Sequence, residues 1–295
     1  MSRLKLLGIA IAVAVAVVTA LWFYPLENDF SVDNSSWNGL STISARLKTT
    51  SIDSFSRLPA KEEGTAFILI PYSTFTDEEL SQLESYVLQG GTLILMDDYG
   101  YGNQVLERLD VEYRFTNTPL LDLLINSKNA SFPKITDFSD MPLVSGIDAI
   151  VYDHGSCLTN VPQNQIVARS SNFSFLDMDG NLIYDNVEEE KGPFAVIAYT
   201  VLGEGRVIAI SDPSLIINSM IDIGDNYNIL CGATMITTTE PVVYLDQSHL
   251  AESTFSQTKA ALAKARDALA HPAVLFGIVG TALLLSLGPM RSKRR

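Results

Sequence analysis

A chain of 295 residues with 47% hydrophobic side chains has material for one large domain or two small ones. Its net charge of −14, with only 20 Lys and Arg, excludes the basic face that nucleic acid binding needs, so no nucleic acid partner is expected. Two cysteines exclude a disulfide-built scaffold, and no solenoid or propeller repeat runs through the chain.

The charge is unevenly placed. No acid precedes Glu27 or follows Asp267, while six bases (Arg3, Lys5, Arg291, Lys293, Arg294 and Arg295) sit in the tails. The middle therefore carries 14 bases against all 34 acids. Such an excess reads first as a solvated acidic surface, and second as a site for cations.

Residues 1–5 form a short basic tail. Leu6 to Tyr24 is uncharged and almost wholly apolar, long enough at ~1.5 Å per residue to cross a ~30 Å hydrocarbon core. Trp22, Phe23 and Tyr24 make an aromatic belt at its outer edge, and Pro25 ends it. Val18-Thr19-Ala20 also resembles a signal-peptide cleavage site, but the bulky residues after it favour retention. A second span is expected at 272–290, followed at once by the basic tail 291–295. The positive-inside rule then places both termini in the cytoplasm and residues 25–250 outside, in a protein of the cell membrane. Residues 251–271, rich in Ala and Lys, read as a helical stalk.

The middle reads as α/β. Leu40 to Leu47 is a plausible helix after a polar loop at Ser31 to Gly39. Thr65 to Tyr72 is a continuous apolar run, as expected of a strand covered on both faces. Thr76-Asp-Glu-Glu79 is a capping box opening a helix that Gly90-Gly91 stops. Thr92 to Asp97 is the next buried strand, so the unit is βαβ with a parallel pair. Asn103 to Leu109 is a further helix and Val111 to Phe115 a strand. Strands or hairpins follow at 147–152, 165–170 and 173–184. Two apolar runs, 194–202 and 206–211, are joined at Gly203-Glu-Gly205. Helices are expected at 214–221 and 225–236, and a last strand at 241–245. The whole predicts a mostly parallel sheet with an antiparallel extension.

Ligands of open α/β sheets bind beyond the carboxyl ends of the parallel strands. Two polar clusters fall there. The first supplies Asp97, Asp98, Gly100 and Asn103; the second supplies Ser211, Asp212, Asn218, Asp225 and Asn226. Together they outline a cleft for a sugar, another polar ligand or a cation. The plainer reading makes these residues helix caps and turns. Asp177-Met-Asp-Gly-Asn181, with Asp185 beyond, resembles a calcium loop but lacks its closing Glu, and Asp-Gly between apolar runs is a turn signal. No catalytic residue, resident metal or cofactor is expected, for no nucleophile-elbow or zinc-hydrolase motif is present. His154 and Cys157 are close in sequence, yet a loop histidine beside a structural cysteine is the simpler reading. Asn34, Asn129 and Asn172 head glycosylation triplets. Cys157 and Cys231 are either a disulfide in an oxidising compartment or two unpaired thiols.

Two segments carry a family likeness: Pro71-Tyr72 through Asp97-Asp-Tyr-Gly-Tyr-Gly-Asn103, and Gly205 through Asn218 with Asp225-Asn226. They resemble a membrane-anchored family of archaea and bacteria known as a domain of unknown function. The resemblance implies a flavodoxin-like sheet similar to class I glutamine amidotransferases. In those enzymes a cysteine nucleophile follows the strand that here ends in Asp97-Asp98, so amidotransferase activity is not expected. Gene neighbourhoods of the bacterial relatives, with a chaperone-like ATPase and von Willebrand A-type proteins, point to a membrane-protein partner and complex assembly. The expected function is thus non-enzymatic binding or assembly. The alternatives are a hydrolase using Asp97, Asp98 and Asp212, and a cation-dependent binder of polar ligands.

Overall fold

Runs of β-branched and large apolar residues build the centre of the computed structural model. It describes residues 28–59 and 64–251, with isolated helical positions between 6 and 19 and between 257 and 266. Among the described residues the strands are β1 (Thr50–Ile52), β2 (Thr65–Leu69), β3 (Thr92–Met96), β4 (Arg114–Phe115), β5 (Leu120–Asp122), β6 (Lys134–Ile135), β7 (Asp137–Phe138), β8 (Ile150–Val151), β9 (Leu158–Thr159), β10 (Ile166–Arg169), β11 (Ser174–Leu176), β12 (Ala195–Leu202), β13 (Gly205–Ile210) and β14 (Val242–Asp246). The helices within the described residues of 28–251 are α1 (Ser41–Leu47), α2 (Asp77–Leu88), α3 (Asn103–Arg108) and α4 (Asn226–Thr234).

The main sheet runs β1-β14-β2-β3-β13-β12-β10-β7. Its first five strands are parallel, and β12, β10 and β7 extend it antiparallel. The predicted mixed α/β sheet is therefore present. The β12–β13 hairpin closes at the Gly203-Glu-Gly205 turn, with Leu202 opposite Gly205.

Both faces of the sheet are covered, which is why its central strands show no polar alternation. Phe67, Leu69, Leu93, Leu95, Val207 and Ala209 pack on one side with Leu83 and Val87 of α2 and Val105 and Leu106 of α3. Ala66, Ile68, Ile94, Met96, Ile208 and Ile210 pack on the other with Ile43 of α1 and Ile229 and Leu230 of α4. Each fully buried large apolar side chain contributes roughly 1.5–3 kcal/mol. α2 begins where its capping box predicts: Thr76 Oγ1 accepts from the Glu79 N–H and the Glu79 carboxylate accepts from the Thr76 N–H at 2.8 Å.

Four expected elements differ, the first being the strand expected over Val111 to Phe115, which shortens to β4. The helix expected over 214–221 is a single 3-10 turn, Pro213–Ile216, because Ile217 turns extended and Asn218 is bonded to the N-terminal loop instead. The hairpin expected over 173–184 shortens to β11, because Asp177 captures the N–H groups of Gly180 and Leu182 and folds the chain into a loop. The run 147–152 reduces to the two residues of β8.

The expected spans 6–24 and 272–290, both tails and most of the stalk lie outside the described residues. Among the described residues no helix is long and apolar enough to cross a membrane. Residues 27–251 form one unit in themselves.

Candidate functional site

The strands β3 and β13 are neighbours, but the helices that follow them lie on opposite faces of the sheet: α3 on one, α4 on the other. The chain therefore parts at the carboxyl ends of these two strands, and a crevice opens there. A pocket of about 220 Å³ occupies it.

Each wall comes from a different element. The loop after β2 supplies Tyr72, the loop after β3 supplies Asp98 and Tyr99, and the loop after β8 supplies Asp153 and His154. Ser214 and Ile217 follow β13, and the N-terminal loop closes the rim with Asp29, Phe30, Trp37 and Asn38. The aromatic rings form a continuous wall. Phe30 and Tyr72 stack with centroids 5.3 Å apart, and Tyr72 meets Tyr99 at 5.4 Å. Trp37 stands beside them, 67% exposed.

The two aspartates that end β3 have opposite fates. Asp97 is buried, and its carboxylate accepts the N–H groups of Tyr99 at 2.9 Å, Gly100 at 3.1 Å and Gly102 at 2.6 Å. Burial pushes its carboxyl above the usual range, and these bonds pull it back. Asp97 thus shapes the loop, whose sharp bend sits at Gly100 with φ +93°. Asp98 points into the pocket, and its Oδ1 is buried without a hydrogen bond among the described residues. Burial, then the neighbouring Asp97, push its carboxyl up to about 7.

Asp212 lies under the pocket floor, fully buried. Its Oδ2 accepts the Asp153 N–H at 2.7 Å and its Oδ1 accepts the Ser214 N–H at 2.8 Å. Burial holds its carboxyl well above the ordinary value. Asp153 Oδ1 lies 2.6 Å from His154 Nδ1 at the rim. His154 adopts φ +59° and packs edge-on against Phe132 at 5.4 Å.

The remaining residues singled out in the sequence are clips for the backbone. Asn103 accepts from the Phe115 N–H and donates to the Phe115 carbonyl, joining α3 to β4. Ser211 donates to the carbonyls of Ser156 and Val196. Asn218 donates to the carbonyls of Asn34 and Ser36 and accepts from the Thr42 N–H, holding the rim loop. Asp225 accepts from the N–H groups of Asp148 and Ala149. Asn226, fully buried, accepts from Val151 and donates to Val151, Leu215 and Met220. Of the nine, only Asp98 lines the pocket.

Sequence reading does not nominate Asp29, Trp37, Tyr72, Asp153 or His154 for this site, although Tyr72 lies in the family-like segment and His154 is weighed beside Cys157. The strand-end rule nominates Tyr72 and Asp153 once it is applied to the runs ending at 70 and 152. Nothing local marks Asp29 or Trp37.

Cys157 and Cys231 are unpaired: Cys157 is buried against Thr116, whereas Cys231 lies on α4 beside Tyr227. No Cys–His pair forms, since His154 faces Asp153 and burial pushes the Cys157 thiol up to about 11. Asn34 is buried with its amide donating to the Asn28 carbonyl and Asn38, so the folded chain offers no free amide there; Asn129 and Asn172 are exposed. Asp177 and Asp179 come within 4.8 Å of Glu189, a cluster in which each carboxylate already accepts nearby N–H groups. Asp185 tops that loop, its N–H donating to Glu189. His249 is a core residue, its Nδ1 3.0 Å from Asp246 and its ring between Phe55 and Phe75.

Fold and site together define a three-layer α/β domain with a polar-aromatic pocket at its strand ends. The chain belongs to the family described as a domain of unknown function, DUF4350, which matches residues 32–231. No curated protein matches the sequence. Among solved structures, the mmIFT52 N-terminal domain is similar at 16% identity and a TM-score of 0.51, over 69% of this chain and 90% of that one. That likeness concerns the fold alone. A thua-like protein from Bacteroides uniformis (14% identity, TM-score 0.34, covering 62% of this chain and 75% of that one) is more distant. So is a beta-galactosidase from Bacillus circulans sp. alkalophilus (12% identity, TM-score 0.35, covering 56% and 22%).

Proposed function

We propose that this is a non-enzymatic binding domain, held outside the membrane by the two apolar segments, which captures a small polar ligand at the strand-end pocket. The observation that carries it is the pocket itself: a concave site whose lining combines aromatic rings with three carboxylates. The anchoring rests on the sequence alone, through the uncharged runs 6–24 and 272–290 and their basic flanks. We also infer kinship with an amidotransferase-like layout; the parallel core and the turn after β3 support it, with Asp97 in place of a nucleophile.

The hydrolase reading loses support at the same place. It needs two carboxylates facing substrate, but the oxygens of Asp97 and Asp212 are committed to backbone N–H groups. The Cys157 thiol is buried, and burial pushes it up to about 11, away from the thiolate a nucleophile needs.

Thermal denaturation of the full-length protein in detergent, screened against sugars, amines, amino acids and divalent cations, tests the proposal. A ligand that raises the midpoint and is recovered chemically unchanged supports it, provided Trp37→Ala abolishes the rise. Turnover of an amide or glycoside, lost in Asp98→Ala, overturns it.

A further inference from the structure

We infer that the pocket selects a small organic cation bearing N–H groups, an alkylammonium or guanidinium; the inference rests on the binding reading above. Three carboxylates line the pocket, those of Asp29, Asp98 and Asp153, and among the described residues no lysine or arginine does. Aromatic rings share the lining with them: Tyr72 stacks on Phe30 and is tilted at 57° against Tyr99, and Trp37 is largely exposed. Ring quadrupoles attract a cation, and carboxylates accept its N–H groups in charge-assisted bonds. A neutral sugar stacks on the same rings but leaves the negative charge uncompensated in a half-enclosed space.

Hydrogen bonding to the carboxylates of the lining separates the cation classes. An ammonium or guanidinium N–H makes charge-assisted bonds to them, whereas a quaternary ammonium has no proton to donate. A bare divalent metal finds no cluster of three ligands in this pocket: among the described residues such a cluster forms only at Asp177, Asp179 and Glu189. The volume, about 220 Å³, lies below the ~300–1,000 Å³ of drug-sized sites, so the ligand is small.

Binding is coupled to a proton. The groups facing Asp98 are Asp97 on its own loop, Asp29 on the rim, Tyr72 and Tyr99, Asp212 beneath, and the Asp153–His154 pair. The cation displaces the proton that burial keeps on Asp98, so affinity rises with pH through about 7.

Isothermal titration of the full-length protein in detergent tests this, with putrescine, agmatine, choline, maltose and calcium chloride as probes at pH 6 and pH 8. Putrescine or agmatine should bind, about 10-fold more tightly at pH 8. Asp98→Asn should weaken binding at least ~10-fold and remove the pH gain, while His154→Gln retains the gain. Trp37→Ala should weaken binding and Trp37→Phe should restore it. Choline binding as tightly as the amines, or amine binding indifferent to Asp98→Asn and Trp37→Ala, overturns the inference. Maltose or calcium binding without the amines, sensitive to Trp37→Ala, overturns the ligand class and leaves the binding reading standing. Silence from every probe overturns both.

Discussion

The backbone N–H of Asp153 donates to Oδ2 of Asp212 at 2.7 Å, and this bond fastens one wall of the pocket to the end of β13. Asp212 is invisible from the pocket, yet it sets where Asp153 and His154 stand. Substituting Asp212→Ala leaves two part-buried N–H groups, those of Asp153 and Ser214, without their acceptor. A loss of about 2–4 kcal/mol is expected, read as a lower urea midpoint. A shift under ~0.5 kcal/mol sinks the assignment.

Asp98 makes stability depend on pH. The folded protein holds its proton up to about pH 7, whereas the unfolded chain releases it near ~4. The native state therefore binds more protons across that window, and stability falls as pH rises from ~4 to ~7, then levels off. Asp212, also raised, acts in the same sense. Asp98→Asn should flatten part of the slope and stabilise the domain at pH 8 by roughly 1–3 kcal/mol. Urea titrations at pH 5 and pH 8 measure it, and an unchanged slope contradicts the placement of Asp98.

Asn226 makes four bonds from a fully buried position, two of them with Val151 of β8. Asn226→Leu preserves volume and removes them all. The expected cost is about 3 kcal/mol or more, with loss of protection at the Val151 amide in hydrogen exchange. Retained protection speaks against the clip.

Gly205 begins β13 where the hairpin passes over the end of α2. A Cβ there meets the Val87 carbonyl oxygen at 2.0 Å and the Gly91 carbonyl oxygen at 2.4 Å. Gly205→Ala must displace backbone, so low yield or a melting temperature several degrees lower is the outcome. An unperturbed melting curve rejects this packing.

The two cysteines give a chemical check. Native protein, alkylated without reductant, should take label on Cys231 and leave Cys157 unmodified; denaturation should expose both. Peptide mass spectrometry reads the result. Resistance of both thiols after denaturation, relieved by reductant, would mean the disulfide that the structure lacks.

Local signals in the sequence determined the middle layer. The apolar runs of β2 and β3, the Thr76–Glu79 box and the Gly203–Gly205 turn each act within a few residues, so periodicity and cap chemistry reveal them. The sequence also carries the two apolar terminal runs and the acidic bias between them. Tertiary structure decided the rest. Only folding shows that β14 inserts between β1 and β2, since nothing in a five-residue run names its neighbour. Only folding separates Asp97 from Asp98, adjacent and chemically identical, because alternate residues at a strand's end point opposite ways. The pocket draws on the N-terminal loop and on the ends of β2, β3, β8 and β13, so its members are far apart in the chain. Asn218 and Asn226 read as ligand groups in sequence because an amide that clips backbone and one that grips a ligand have the same chemistry; only the partners met in the folded chain tell them apart.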